Sequence, residues 1–315
     1  MTSTPTVLVT GGAGFIGSHL VDALVADGHA VRVLDDLSSG RAENLPQDVD
    51  LLEGDMADED VARRGVDGAS LVFHLGAAGS VKRSIETPRL TDRSNTHGTL
   101  TILEAARRAG VRRVVAASSS SVYGGADIRP TPETAPLVPR SPYAVSKLAG
   151  EQYCRVFTEL HGLETVALRY FNVYGPRQRP DSPYAAVVPR FVDALQRGEH
   201  PTIYGDGRQS RDFTFVADTV AATMAAAMAP AERCAGRAFN VAGGVERTVL
   251  DLLGILGDLF GVTAEANHEE PRPGDVVHSC ADISAGRAAL GFEPRIPLED
   301  GLRRTVAALT PETAT

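Results

Sequence analysis

Three glycines near the start of the chain constrain its fold more than any other feature. Gly11, Gly14 and Gly17 lie between a short apolar run, Thr6–Thr10, and a stretch with helical spacing, Phe15–Asp27. Glycines at such a bend allow a tight turn, a close approach of the backbone to a diphosphate, and close packing of helix on strand. The order of strand, glycine turn and helix therefore predicts the first unit of a nucleotide-binding sheet. The alternative is a tight turn that binds no ligand.

Short β-branched runs alternate with helical stretches through the first half of the chain. Further strands are predicted at Ala30–Leu34, Asp50–Leu52, Ser70–His74, Val114–Ala117 and Val166–Arg169. Helices are predicted over about Thr96–Ala109 and Ser141–Leu160. This alternation is typical of a parallel sheet that is covered by helices on both faces. We therefore predict the α/β class, with a Rossmann-type doubly wound parallel sheet.

The pattern changes after Asn172. Proline and glycine become frequent, the segments shorten, and two more helices are predicted over about Asp218–Met228 and Val249–Phe260. Such a shift after a completed series of strands and helices indicates a second unit. We predict a nucleotide-binding domain over residues 1–172, to which segments near 212–242 return. Residues 173–315 are predicted to form mainly a smaller C-terminal α/β lobe that binds the substrate.

Composition narrows the partners and the location. The chain has 31 Lys and Arg residues against 40 Asp and Glu, a formal net charge of −9. Because a negative surface repels phosphate backbones, we expect no nucleic-acid and no membrane partner. The sequence has no apolar run near the roughly 18 residues that span a bilayer, and the N-terminus does not resemble a signal peptide, so a cytoplasmic location is expected. Cys154, Cys234 and Cys280 are widely separated, which predicts neither a metal site nor disulfides.

Residues at the ends of the predicted strands indicate which nucleotide binds. Asp35 ends the second strand, and a carboxylate there can accept hydrogen bonds from ribose hydroxyls and would repel a 2′-phosphate. NAD is therefore favoured over NADP. Asp55 and Met56 follow the third strand and could reach the adenine, although a plain loop acid is as good an interpretation. The small residues of the segment 75–78 would let the cofactor lie against the backbone.

A phenol and an ammonium group share one face of a predicted helix. Tyr143 and Lys147 are four residues apart, and a lysine charge near a tyrosine hydroxyl stabilises the phenolate and lowers its pKa toward neutrality. The run 118–121 consists of four serines after the fifth strand, at the edge of the sheet where ligands bind. A hydroxyl there can hydrogen-bond a substrate oxygen during hydride transfer. The alternatives are an exposed pair on a helix and a merely polar loop.

Several motifs together resemble the extended short-chain dehydrogenase/reductases, the NAD-dependent epimerase/dehydratase family that acts on nucleotide sugars. They are GGAGFIGSH, SSSSVYG, SPYAVSKLAGE and RYFNVYGPRQ, and the similarity continues through TIYGDGRQSRDFTFVAD and PRPGDVVHSCAD, so it covers nearly the whole chain. The resemblance implies Tyr143 as the acid/base, Lys147 as its partner and Ser119 as the catalytic hydroxyl. It also implies a homodimer that pairs through the helices at about 96–109 and 141–160.

The resemblance further implies where cofactor and substrate bind. The implied NAD contacts are Gly11, Gly14, Phe15, Ile16, Gly17, Asp35, Asp36, Ser38, Gly40, Asp55, Met56, Leu75, Ala77, Ala78, Asn95, Ser118, Tyr143, Lys147 and Tyr170. The implied contacts with a UDP-sugar substrate are Ser120, Ser121, Asn172, Arg179, Val188, Tyr204, Arg211, Arg272 and Asp275. Of these, Arg211 and Arg272 match the arginines that hold the diphosphate, for which a guanidinium fork offers paired donors.

Two positions bear on the reaction and the sugar. The 4,6-dehydratases of this family carry Asp-Glu after the catalytic hydroxyl residue, whereas Ser120 and Ser121 stand here and cannot act as carboxylate acids or bases. We therefore predict C4 epimerisation of a UDP-sugar through a transient 4-keto intermediate. Arg179 resembles an arginine that binds the carboxylate in UDP-glucuronate epimerases, which would make UDP-glucuronate and UDP-galacturonate the substrate pair. Yet the segment SPYAAVVPRF is more similar to the hexose branch, whose substrates are UDP-glucose and UDP-galactose with or without N-acetyl groups, and Arg179 could be a surface residue. A UDP-glucuronate decarboxylase, another nucleotide-sugar dehydratase or reductase, and a non-catalytic NAD-sensing protein remain as alternatives.

Overall fold

The computed structural model describes residues 6–182, 185–271 and 276–309. The strands are β1 (Thr6–Thr10), β2 (Ala30–Asp35), β3 (Asp50–Glu53), β4 (Ala69–His74), β5 (Arg113–Ser119), β6 (Glu164–Tyr170), β7 (Val173–Tyr174), β8 (Thr202–Tyr204), β9 (Ser210–Asp212), β10 (Thr214–Phe215), β11 (Arg237–Val241), β12 (Glu246–Thr248) and β13 (Asn267–Glu269). The α-helices are α1 (Phe15–Ala26), α2 (Glu59–Val66), α3 (Val81–Glu86), α4 (Pro88–Asp92), α5 (Gly98–Ala109), α6 (Pro142–His161), α7 (Val187–Gln196), α8 (Val216–Met228), α9 (Ala231–Cys234), α10 (Val249–Phe260), α11 (Ser284–Leu290) and α12 (Leu298–Leu309).

Seven strands form one parallel sheet in the order β11-β6-β5-β4-β1-β2-β3. The strand order reverses between β1 and β4, which creates the crevice where ligands bind in sheets of this type. Helices α1, α8 and α11 cover one face, and α2, α5 and α6 cover the other. The predicted doubly wound, Rossmann-type α/β fold is confirmed.

Strand β1 explains why the sheet needs cover on both faces. Val7 and Val9 pack with Leu20 of α1, whereas Leu8 between them packs with Ala62 of α2. Because successive side chains of a strand point to opposite faces, a strand that is apolar throughout is stable only between two layers of helices.

The ends of helix α6 follow from local sequence signals. The Ser141 hydroxyl accepts a hydrogen bond from the Ala144 N–H at 3.1 Å, Pro142 occupies the first turn, and Gly162 ends the helix in the left-handed conformation at φ 68°. Each residue type is favoured at that position of a helix. Helix α10 has a capping box and a C-terminal glycine of the same kind, and its predicted bounds, Val249–Phe260, are confirmed.

A buried arginine joins the sheet to helix α8. Arg113 at the start of β5 is 2% exposed, and its guanidinium donates to the carbonyls of Ala226, Ala227 and Ala229 at 3.0, 3.0 and 2.6 Å. It also donates to Glu164 at 2.7 Å. The last carbonyls of a helix have no partner within the helix, and a cation there is favourable. Arg113 therefore holds the end of α8 against the amino edge of the sheet.

The start of helix α5 differs from the sequence prediction. This helix begins at Gly98 rather than Thr96, because Arg93–His97 forms a short π-helix in front of it. Within the segment near 212–242, for which a return to the first domain was predicted, β11 pairs in parallel with β6 of the large sheet. The division into a nucleotide-binding domain and a substrate lobe stays a proposal.

Most of the chain after β6 builds a second apolar cluster. Helices α7, α10 and α12 contribute to it together with strands β7, β8 and β10. Outside the large sheet, the strands pair as β10-β7, β12-β9 and β13-β8. Val188, Phe191 and Leu252 are among its side chains, each at most 2% exposed. Among the described residues, no helix combines the length and the apolar character needed to cross a membrane.

Candidate active site

A cavity of about 470 Å³ lies at the carboxyl edge of the large sheet. Every predicted cofactor residue lines it except Gly40 and Asn95. The predicted residues in its walls are Gly11, Gly14, Phe15, Ile16, Gly17, Asp35, Asp36, Ser38, Asp55, Met56, Leu75, Ala77, Ala78, Ser118, Tyr143, Lys147 and Tyr170. The parallel topology brings these residues together, because the strands that precede them all end at the same edge.

The glycine turn is shaped so that side chains are excluded from it. A Cβ atom at Gly17 would lie 2.1 Å from the carbonyl oxygen of Gly11, and one at Gly11 would lie 2.6 Å from the nitrogen of Gly76. Gly14 offers no side-chain cap to α1, and the first turn of that helix has no acidic residue. The free N–H groups at this helix end therefore suit an anion, and the residues present fit the diphosphate of NAD.

Two carboxylates occupy the end of β2 beside this turn. Asp35 accepts hydrogen bonds from the N–H groups of Ala13 at 3.0 Å and Leu37 at 2.9 Å, while burial raises the pKa of Asp35. Asp36 accepts from Ser38. Since both acids line the cavity, their charge fits ribose hydroxyls and disfavours a 2′-phosphate. Gly40 packs behind them, where a Cβ would lie 2.9 Å from Asp35 Oδ1.

The three predicted catalytic residues meet at the other end of the cavity. The hydroxyls of Tyr143 and Ser119 are hydrogen-bonded to each other. Lys147 lies one helical turn after Tyr143, and its Nζ donates to the carbonyl of Ala117 at 2.9 Å. Helix α6 and the end of β5 thus place a phenol, an ammonium group and an aliphatic hydroxyl side by side, as acid–base chemistry at an alcohol requires.

The prediction that Lys147 lowers the pKa of Tyr143 toward neutrality is wrong for this geometry. Burial raises the pKa of Tyr143, and the hydrogen bond from Ser119 acts in the opposite direction. Burial also lowers the pKa of Lys147 to about 8. Tyr143 and Lys147 do lie one helical turn apart, as predicted. However, burial destabilises the phenolate of Tyr143 more than the nearby Lys147 ammonium group was expected to stabilise it.

Asn95 lies beneath the cavity wall rather than in it. Its Oδ1 accepts from the N–H of Ala78 at 2.7 Å, its Nδ2 donates to the Ser146 hydroxyl at 3.0 Å, and it is 2% exposed. The short π-helix that precedes α5 carries this residue. Asn95 therefore joins the turn after β4 to helix α6, between Tyr143 and Lys147.

Several lining residues were missed by the sequence interpretation. They are Leu34, Ser39, Gly54, Gly79, Ser80, Leu90, Ser94, Ala117 and Ser182. The run of small residues that follows β4 extends past Ala78 to Ser80, and this signal could have found Gly79 and Ser80. Arg83 lies in the wall as well; its sequence position beside Lys82 is equally compatible with a phosphate contact and with a solvated charge. No strand end or motif predicts Ser182 as a cofactor contact, and the segment after β7 carries it to the cavity.

The predicted substrate residues that fall within the described part of the chain lie outside the walls of this cavity. Ser120 and Ser121 form a 3₁₀ turn after β5, and the buried Ser121 hydroxyl has no hydrogen-bond partner within the described part of the chain. Asn172 adopts φ 35° and donates to the Asp212 carbonyl at 3.0 Å. An unpartnered buried hydroxyl is costly, which favours a ligand contact at Ser121.

The remaining substrate candidates are spread over the second half of the chain. Val188 is 1% exposed and packs in the core of that half. The Tyr204 ring lies 5.7 Å from the Arg190 guanidinium, and Arg211 Nη1 donates to the Ser210 carbonyl at 2.8 Å. Two further candidates lie outside the described residues, namely Arg272 and Asp275.

Arg179 is an exposed residue in an ion pair. Its guanidinium donates through Nε and Nη2 to the carboxylate of Asp181, at 2.9 and 2.7 Å. The side chains of Arg179 and Asp181 are 42% and 55% exposed. Two parallel hydrogen bonds satisfy the planar fork of an arginine, so a substrate carboxylate would have to displace Asp181 to bind there.

Comparison with known proteins assigns the family. Residues 7–242 match the model of the NAD dependent epimerase/dehydratase family. The chain belongs to this family. It is 43% identical over 306 residues to the UDP-glucose 4-epimerase of Mycolicibacterium smegmatis, a match that covers 95% of this chain and 96% of that protein.

Solved structures of family members agree with the fold. The UDP-glucose 4-epimerase of Thermotoga maritima with UDP-glucose superposes with a TM-score of 0.92 at 38% identity, over 96% of this chain and 98% of that one. MoeE5 in complex with UDP-glucuronic acid and NAD superposes with a TM-score of 0.87 at 38% identity, with the same coverage. The predicted family, its NAD dependence and the assignment as an enzyme are confirmed by these comparisons.

Proposed function

We propose that this enzyme interconverts the C4 epimers of a UDP-sugar, with UDP-glucose and UDP-galactose as the pair. The observation that carries the proposal is the hydrogen bond between Tyr143 and Ser119 beside Lys147, at the end of a cavity that fits NAD. The two residues that follow, Ser120 and Ser121, offer hydroxyls where an elimination reaction would need carboxylates. The name of the Mycolicibacterium relative supports the same reaction.

Tyr143, Ser119 and Lys147 each have a different role in the proposed reaction. Tyr143, as a phenolate, accepts the proton of the sugar 4-hydroxyl and later returns it, while Ser119 holds the same oxygen through its hydroxyl. Lys147 supplies a positive charge that favours the phenolate. Bound NAD would supply a reversible hydride acceptor for C4 and a positive charge that opposes the effect of burial on Tyr143. Because the hydride would return to the sugar, the cofactor would regain its oxidised form and no second redox partner would be needed.

Epimerisation also requires that the sugar turn over while the nucleotide stays in place. We place Arg211 and Arg272 at the diphosphate and Asp275 near the uridine ribose, as the resemblance implies. Arg211 lies on β9, in the second half of the chain, whereas Tyr143 lies on α6 of the large sheet. A firm hold on the diphosphate far from a loosely held sugar would let hydride return to the opposite face.

The state of Arg179 favours a neutral sugar. The Arg179 guanidinium already donates two hydrogen bonds to Asp181, so it is not available to bind the carboxylate of a uronate unless Asp181 is displaced. UDP-glucuronate is the second candidate, and the structural similarity to MoeE5 with UDP-glucuronic acid and NAD supports it. In that case, a bound uronate would compete with Asp181 for Arg179.

A substrate panel tests the proposal. Purified protein with NAD is given UDP-glucose, UDP-galactose, UDP-N-acetylglucosamine or UDP-glucuronate, and the products are identified by NMR. We expect UDP-glucose and UDP-galactose to interconvert, with no net change in absorbance at 340 nm after completed cycles. Tyr143→Phe is the matched control, since it removes one hydroxyl.

Other outcomes would redirect the proposal. A pentose product from UDP-glucuronate would identify a decarboxylase, and a 6-deoxy-4-keto product would identify a dehydratase. NAD binding without turnover of any sugar, in the parent and in Tyr143→Phe alike, would identify a binding protein.

Exposed apolar side chains support the homodimer as a further part of the proposal. Val81, Ile85 and Val145 are 45%, 64% and 53% exposed, on helices α3 and α6, which contact each other. Light scattering after gel filtration should give twice the 33.2 kDa of one chain. A mass of one chain at micromolar concentration would contradict the homodimer.

A further inference from the structure

A buried ion pair lies directly beneath the proposed catalytic residues. Glu151 follows Lys147 by one turn of α6, and its carboxylate accepts from Arg169 Nε at 2.9 Å and from Nη2 at 2.7 Å. The side chains of Arg169 and Glu151 are 5% and 4% exposed. Burial acts to lower the pKa of Arg169, but its bonds to Glu151 raise it above its ordinary value. Both charges are therefore held in a site without access to bulk water.

The same carboxylate also holds the end of strand β5. The Ser118 hydroxyl donates to Glu151 Oε1 at 2.5 Å, and Ser118 lies opposite Arg169 in the parallel register of β5 and β6. Ser118 lines the cavity and directly precedes Ser119. Glu151 thus joins the strand that carries Ser119 to the helix that carries Tyr143 and Lys147.

The far side of the arginine is fully engaged as well. Arg169 Nη1 donates to the Tyr123 hydroxyl at 2.8 Å and to the Glu133 carbonyl at 3.1 Å. The Tyr123 hydroxyl in turn donates to Asn240 Oδ1 at 2.7 Å. Burial raises the pKa of Tyr123 to about 12, so this phenol stays neutral. Hydrogen bonds to Glu151 on one side and to Tyr123 and Glu133 on the other fix the Arg169 guanidinium in place. The Glu151 carboxylate that pairs with it is therefore fixed as well.

The charges around Lys147 identify Glu151 as its counter-ion. Burial lowers the pKa of Lys147 to about 8, whereas the negative charges available to Cys154 and Glu151 raise it. Burial raises the pKa of Cys154 to about 12 and lowers that of His74, on the neighbouring strand β4, to about 3. Both groups are therefore neutral near pH 8.

Two tyrosines complete the titratable surroundings of Lys147. Burial raises the pKa of Tyr143 and of Tyr170, which line the same cavity, so both are neutral near pH 8. Arg169 is the other cation, and it is bonded to Glu151. Glu151, one helical turn from Lys147, is the carboxylate among these groups that acts on it.

We propose that Glu151 is a positioning residue for the reaction proposed above: it fixes Ser118 and Ser119 against α6 and keeps the buried ammonium group of Lys147 charged. The inference deepens the proposed function, because a charged Lys147 and a fixed Ser119 are what the Tyr143 phenolate needs. Neither contact requires Glu151 to touch the substrate.

The lysine content of the chain makes a direct test possible. The sequence contains two lysines, Lys82 and Lys147. In a Lys82→Arg background, lysine labelled with ¹³C at Cε therefore gives one side-chain signal, and its pH titration reports Lys147 alone. We expect a midpoint near 8 in this background. Glu151→Gln should lower the midpoint by about one pH unit or more, the size of effect that one nearby charge produces.

A matched control separates this effect from general loosening. Glu164→Gln breaks the other buried arginine pair, Arg113–Glu164, at the opposite end of β5 and β6. It should leave the Lys147 midpoint unchanged. If both variants move the midpoint equally, or if Glu151→Gln leaves it in place, the proposal is overturned.

A double variant covers the case in which Glu151→Gln fails to fold because Arg169 is left unpaired. Glu151→Gln/Arg169→Gln removes both charges and retains amide groups that can hydrogen-bond. The reference for this variant is Arg169→Gln, because the two differ only in the Glu151 charge. We expect the double variant to fold, with a Lys147 midpoint and a high-pH loss of kcat that both lie at lower pH than in Arg169→Gln, while KM changes less than twofold. Equal midpoints in the folded double variant and in Arg169→Gln would overturn the role of the Glu151 charge. The titration needs no substrate, so absence of turnover in the parent would count against the proposed function alone.

Discussion

Strands β5 and β6 have a buried Arg–Glu pair at each end. At the amino end, Arg113 of β5 pairs with Glu164 of β6, and at the carboxyl end Arg169 of β6 pairs with Glu151 of α6. Both arginine side chains are almost fully enclosed, at 2% exposure for Arg113 and 5% for Arg169. Both also donate to main-chain carbonyls as well as to their carboxylate.

The two pairs differ in what surrounds them. The guanidinium of Arg113 satisfies the last carbonyls of α8, and the Glu164 side chain is 28% exposed. Glu151 is enclosed, accepts a bond from a cavity-lining serine, and lies one turn from Lys147. Because a parallel sheet opens its ligand crevice at the carboxyl ends of the strands, the same chemistry supports the fold at one end and the site at the other.

The largest expected effect is on catalysis at the carboxyl end. Tyr143→Phe should reduce turnover of the UDP-sugar pair by roughly 10²–10⁴-fold, since it removes the group that moves the proton. Its urea midpoint should stay close to that of the parent, because the ring remains packed. NMR of product formation and urea unfolding measure the two quantities. A variant that retains a tenth of parental turnover would exclude Tyr143 as the acid/base.

Breaking the amino-end pair should affect stability rather than catalysis. Arg113→Met leaves Glu164 with only its longer contact to the exposed Arg112, at 3.5 Å, and removes the Arg113 donors from the end of α8. The free energy of unfolding should therefore fall by roughly 3 kcal/mol. Turnover per folded molecule should remain parental. Urea unfolding measures the free energy of unfolding, and titration of the active site with NAD gives the concentration of folded enzyme to which turnover is normalised. A large loss of turnover in the folded protein would contradict the contrast between the two ends.

The buried lysine at the carboxyl end should make stability depend on pH. The pKa of Lys147 is lowered from 10.5 to about 8, so between these values the unfolded chain binds more protons than the folded one. Stability should therefore rise as the pH rises from 8 to 10.5, by up to about 3 kcal/mol. The difference in unfolding free energy between the parent and Lys147→Met, measured as a function of pH, isolates the contribution of Lys147. If this difference does not change between pH 8 and 10.5, the pKa of Lys147 is not lowered by folding.

The smallest expected effect on stability and turnover is that of breaking an exposed ion pair, Arg179–Asp181. Arg179→Ala removes an ion pair on the surface, and such pairs contribute little because water screens them. The urea midpoint and turnover of UDP-glucose should both stay parental. If UDP-glucuronate is a substrate, its KM should rise in this variant while that of UDP-glucose does not. Loss of UDP-glucose turnover would assign Arg179 a role that its bond to Asp181 does not suggest.

Local patterns in the sequence were sufficient for much of the site. The residues that line the cavity follow strand ends, and in a parallel sheet all those ends meet, so locating the strands was enough to group Gly11, Asp35, Ala78 and Ser118. Ser182 was not predicted, because its approach to the cavity depends on how the segment after β7 folds back. The pKa of Tyr143 was also misjudged, since spacing along a helix reveals neighbours but not burial.

The sequence by itself determined the parallel sheet, the glycine turn, the capped ends of α6 and the residue types of a hydride-transfer site. Each of these depends on neighbours within a few positions or on a simple alternation. Only the tertiary structure decided which charges meet. Glu151 and Arg169 are 18 positions apart, and Arg113 and Glu164 are 51 positions apart. Because the strength and the role of an ion pair depend on its distance and burial, the pairing of these four residues had to be observed in the folded chain.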